Sequence, residues 1–109
     1  MATTYKVLGQ SNPAATTATT LYTVPASTST IVSTINICNQ NTISDTFRIA
    51  IRPAGATLTA AHYIAYNTVI PGYDSISLTM GITLATTDVV TVYAGASTLS
   101  FSIFGSEIS

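Results

Sequence analysis

The chain has 109 residues, 47% hydrophobic and only 6% charged, with a formal net charge of −1. That length closes one hydrophobic core and not two, and so apolar a chain buries enough surface to offset the entropy of ordering, which excludes disorder. Three scattered basic residues, Lys6, Arg48 and Arg52, give no electrostatic footprint for nucleic acid. No apolar run approaches the roughly 20 residues of a spanning helix, so no membrane partner is expected.

In chain order, residues 1–20 are rich in Ala, Thr and Asn and read as an extended N-terminal arm, with a short strand over Tyr5-Lys6-Val7-Leu8 and then a loop. The opening residues lack the basic and apolar regions of a signal peptide. Residues 21–109 read as the folded domain. Leu21–Val24 forms a strand stopped by Pro25, which cannot donate to a ladder. Ile31–Cys38 follows, and strict alternation puts Ile31, Ile35 and Ile37 on one face and Val32, Thr34 and Asn36 on the other. A polar turn over 39–42 leads to Phe47, Ile49 and Ile51 alternating with Arg48, Ala50 and Arg52 until Pro53. His62 starts the next strand, which closes at Val69-Ile70 before the Pro71-Gly72 turn. Ile76, Leu78 and Met80 alternate with hydroxyls, Gly81 marks a bulge or break, and Ile82 and Leu84 keep the period. Val90 and Val92 face one way, Val89, Thr91 and Tyr93 the other, and Leu99–Ile103 is a last strand ending at Phe104-Gly105.

The fold expected is therefore all-β, an antiparallel, jelly-roll-like β-sandwich of about eight short strands. Its core draws on Phe47, Ile49, Ile51, Leu78, Val90, Val92, Phe101 and Ile103. Ser and Thr take the place of charge between apolar residues, which leaves a hydroxyl-covered outer face. With few charges to repel neighbours and several strand edges to cover, the chain is expected to assemble with itself, as a trimer or another symmetric homo-oligomer.

No catalytic apparatus, cofactor site or metal site is expected. His62 is the only histidine and Cys38 the only cysteine, so a zinc site would need symmetry-related copies and no intrachain disulfide can form. No Gly-x-Ser-x-Gly elbow or glycine-rich phosphate loop occurs. Asp45, Asp74 and Asp88 each precede a strand at a turn, where an aspartate bonds backbone N–H groups. The candidate interface residues are Arg48 and Arg52, two pleats apart on one strand face, with Tyr63, Tyr66, Tyr73 and Tyr93. Sugar binding by exposed tyrosines is a further option.

The runs Tyr5–Gln10, Thr20–Ala26, Ile35–Asn39 and Thr46–Ala50, with His62–Tyr66 and the ending Phe104–Glu107, resemble small virion structural proteins of tailed bacteriophages, of the cyanophage and marine type. The likeness runs along almost the whole chain and implies a complete member. It implies a virion protein assembled in the host bacterial cytoplasm, without catalytic motifs. Its partners would be the major capsid protein, for a head decoration or cement protein, or neck, baseplate or tail-fibre proteins, for an adaptor. A receptor- or glycan-binding module is a third possibility.

Overall fold

The computed structural model describes residues 2–109 and is an antiparallel β-sandwich of eight strands. These are β1 (Thr3–Ser11), β2 (Thr19–Thr23), β3 (Ser29–Asn39), β4 (Asp45–Arg52), β5 (Tyr63–Ile70), β6 (Ser75–Leu84), β7 (Val89–Ala94) and β8 (Leu99–Ile108). One sheet has the order β1-β8-β3-β6 and the other β2-β7-β4-β5. Among the described residues the helical content is two 3₁₀ turns, Pro53–Gly55 and Ala60–His62, both between β4 and β5.

The pairings show how the chain reaches this order. β1 pairs with β8, β2 with β7, β3 with β6 and β4 with β5, a nested set that describes one long antiparallel ribbon folded back at residues 53–62. Rolling that ribbon up brings β3 against β8 and β4 against β7, which completes the two sheets. This is the jelly roll, with its two Greek keys. Pro53 and the left-handed Ala54 and Gly55 make the ribbon tip. Arg52 holds it through Nε to Ala56 O at 2.7 Å and Nη2 to Gly55 O at 3.0 Å.

Register shifts bend the ribbon where it rolls. Leu8 is the extra residue on β1 against β8, Leu21 on β2 against β7, and Ser33 on β3 against β8. Each such bulge reverses the side-chain phase beyond it. On β3 the consequence overturns the expected faces: Ile31 is 41% exposed, whereas Val32 is 1% exposed and packs with Ile35 and Ile37. On β2 it puts Leu21 and Tyr22, consecutive residues, both inside. Gly81 has φ +60 and lies where β3 and β6 lose register, as the glycine signal suggested.

The core joins the sheets through Phe47 on β4 and Phe101 on β8, edge to face at 6.3 Å, with Ile49, Val90, Val92 and Ile103 fully buried around them. Ile51 and Leu78 are partly buried at its margin. The expected arm is not a free extension: β1 runs over nine residues as a full sheet edge, the 2.8 and 2.9 Å backbone bonds between Ala2 and Ser109 prolong it, and a turn at Ala15-Thr16 leads into β2, which already includes Thr19 and Thr20. β8 does not end at Gly105 but runs through it to Ile108, and the position needs glycine because a side chain there would strike the backbone of Ile31.

Candidate interaction surfaces

The sandwich presents two outer faces. On the β2-β7-β4-β5 sheet, β4 directs Arg48 outward between Tyr93, its cross-strand partner on β7, and Tyr66 on β5. The guanidinium carbon lies 4.3 Å from each ring centroid, a double cation–π contact, and Nε donates to Asn67 Oδ1 at 2.7 Å. Tyr63 packs edge to face on Tyr66, with centroids 4.9 Å apart. These two tyrosines, with Leu58, Thr59 and Ala60, line an open cleft of about 600 Å³.

Four of the six expected interface residues thus form one cluster: Arg48, Tyr63, Tyr66 and Tyr93. Arg52 is on the same strand, but its donors serve the ribbon tip and, at 3.4 Å, Thr91 Oγ1. Tyr73 stands apart in the β5–β6 turn, 73% exposed and with φ +56. His62 is in the 3₁₀ turn and not in the strand, where its Nδ1 accepts from Thr59 N at 3.2 Å. Cys38 is half-buried on β3.

The aspartates behave as turn residues. Asp45 accepts from the backbone N–H groups of Thr46 and Ala96, Asp88 from Ala54 and Ala85, and Asp74 from Ser75, at 2.7–2.9 Å. Among the described residues, no three His, Cys, Asp or Glu side chains group in a way that could hold a metal ion.

The outer face of the β1-β8-β3-β6 sheet is not uniformly hydroxyl. One end carries the cross-strand row Gln10, Ser102, Asn36 and Ser77, in which Ser77 Oγ donates to Asn36 Oδ1 at 2.9 Å. The other end is mainly apolar, although Lys6, Ser33 and Ser106 also border it. Tyr5, 83% exposed, and Ile31 flank the small Ser106, leaving a shallow hollow of about 330 Å³ that Phe104 closes on one side, with exposed Val7 nearby. Tyr5 and Val7 lie on a segment whose low-complexity flank obscures their role, and Ile31 is turned outward only by the bulge.

Beneath this end a partly buried polar network pins β1 to the sandwich. Tyr22 Oη donates to Glu107 Oε2 at 2.5 Å and bonds Thr30 Oγ1 at 2.8 Å, while Lys6 Nζ meets Glu107 Oε1 at 2.8 Å. Burial, and then the Glu107 hydrogen bond, push the Tyr22 phenol up to about 12. Lys6 and then Tyr22 hold the Glu107 carboxyl below its ordinary value. Nothing in the sequence joins residues 6, 22, 30 and 107; only the rolled ribbon does.

No protein-family model, curated protein or solved structure matches the chain.

Proposed function

We propose that the chain is a non-enzymatic structural component of a tailed-phage virion, a head decoration or cement protein that stabilises the capsid. It assembles as a trimer or another symmetric homo-oligomer and contacts the major capsid protein. The observation that carries this reading is the apolar hollow formed by Tyr5, Ile31 and Phe104 on a chain with 6% charged residues. A contiguous exposed apolar patch on a surface with little charge to hold neighbours away favours burial against another subunit. The jelly roll, used widely in capsid domains, supports the reading, as does the resemblance of Tyr5–Gln10, Thr46–Ala50 and His62–Tyr66 to phage virion proteins.

An electron-microscopy map of the particle tests it. Closed symmetric assembly on the head requires on the order of hundreds of copies, whereas a neck, baseplate or tail-fibre adaptor would number from six to a few dozen, as an order of magnitude. Particles lacking the protein are expected to lose DNA on heating. Survival equal to that of complete particles would exclude a cement role.

A further inference from the structure

The charge pairing inside the fold leaves one group unspent. Lys6 is paired with Glu107, and Arg52 gives its donors to Ala56 O, Gly55 O and Thr91 Oγ1. Arg48 uses only Nε, on Asn67, so neither of its terminal nitrogens has a hydrogen-bond partner among the described residues. The rings of Tyr66 and Tyr93 nevertheless hold the guanidinium in place. An arginine fork fixed in this way suits bidentate capture of a carboxylate, because its orientation entropy is already spent.

The chain's own carboxylates are largely committed. Both oxygens of Asp45, Asp88 and Glu107 accept hydrogen bonds within the protomer, so a second copy could offer chiefly Asp74. The carboxylate is therefore sought in a different molecule. Beside the fork, Tyr66 also lines the 600 Å³ cleft, with Tyr63, Leu58, Thr59 and Ala60. A cleft of that size holds a small ring ligand, and the electron-rich face of a tyrosine ring suits the weakly positive C–H face of a sugar. A β-strand peptide fits poorly, because the β5 edge is broken by Asn67 at φ +48 and by two register shifts against β4.

We propose that Arg48 and the Tyr63–Tyr66 cleft form a binding site for a carboxylate-bearing sugar, the uronic acid unit of an acidic polysaccharide. The acid group meets the Arg48 fork and the ring lies along the tyrosines.

Calorimetric titration of the intact protein with trisaccharides of galacturonate, mannuronate and glucuronate tests this. Their methyl esters and triglutamate serve as controls. At least one uronate is expected to bind, its methyl ester at least about tenfold more weakly, since esterification removes the charge-assisted pair. Arg48→Gln is expected to lose about tenfold and Arg48→Lys less, since it keeps the charge without the fork. Tyr63→Ala, which leaves Arg48 in place, is expected to weaken binding as well, so the proposal stays testable if the Arg48 variants fold poorly. Binding of none of the uronates, equal binding of the ester, or unchanged affinity in Arg48→Gln would each overturn the proposal. Triglutamate binding as tightly as the best uronate would replace the sugar with an acidic peptide. Dissociation of the protein's own oligomer by both Arg48→Gln and Asp74→Asn would assign the fork to a second copy.

Discussion

The bulge at Ser33 makes a sharp stability prediction, because it decides which of two adjacent aliphatic residues is in the core. Val32→Thr is nearly isosteric and keeps β-branching, so strand propensity and volume hardly change. It exchanges a methyl group for a hydroxyl at a position 1% exposed. The lost apolar group costs about 0.8 kcal/mol, and an unpartnered hydroxyl in an apolar core about 1–3 kcal/mol, so a total of about 2–4 kcal/mol is expected. For a domain of this size that lowers the melting midpoint by roughly 8–16 °C. Ile31→Thr places its hydroxyl in water and should cost about 1 kcal/mol or less. Urea and thermal unfolding followed by circular dichroism or tyrosine fluorescence, in a chain with 0 Trp, will resolve the difference. Both variants must be compared at one protomer concentration, since assembly stabilises by mass action. Equal losses, or a larger loss for Ile31→Thr in dilute protein, would refute the phase reversal.

The Lys6–Glu107–Tyr22 network predicts stability limits at both ends of the pH range. Glu107 titrates below its ordinary 4.5 in the folded state, so its contribution is present above that pH and is lost as pH falls through the lower folded value. Tyr22 is raised from 10.0 to about 12, so its contribution is present below pH 10 and is lost as pH rises toward 12. Melting midpoints measured across pH should show both limbs, with Glu107→Gln flattening the acid one and Tyr22→Phe the alkaline one. Gly105→Ala should prevent soluble folding or cost more than about 4 kcal/mol, since its methyl would meet the Ile31 carbonyl oxygen. Gly81→Ala has open space around it but φ +60, and should cost about 1–2 kcal/mol in the same melts. Under the proposed self-assembly through the hollow, Tyr5→Glu should leave only protomers in light scattering without unfolding the chain; an oligomer that persists in the variant would move the proposed interface elsewhere.

Much of the fold was legible because strands with one buried face carry a period of two. Phe47, Ile49, Val90, Val92, Phe101 and Ile103 were readable as core for that reason, and all are fully buried. Pro25, Pro53 and Pro71-Gly72 marked strand ends through missing donors and preset backbone angles, and the aspartates marked turns through their backbone bonds. Alternation failed at Ile31 and Val32, at Leu21 and Tyr22, and at Gly105, where a bulge or a close backbone approach interrupts the period. The interface candidates fared unevenly for a related reason: exposure of a tyrosine or arginine can be guessed from strand phase, but its neighbours cannot. Arg48 and Arg52 look equivalent in sequence, yet one lies between two aromatic rings and the other ties down a turn.

The sequence by itself determines that this is one charge-poor all-β domain, because composition, strand propensity and turn chemistry are local properties that act before the chain closes. Tertiary structure alone decides which strands are neighbours. Nested pairing of a ribbon folded at residues 53–62 brings β1 against β8 across nearly the whole chain, and such long-range contacts leave no local trace. It also decides the surfaces: rolling the ribbon gathers Tyr5, Ile31 and Phe104 around one hollow and fixes the fork of Arg48 beside a tyrosine-lined cleft, its terminal nitrogens without a hydrogen-bond partner among the described residues.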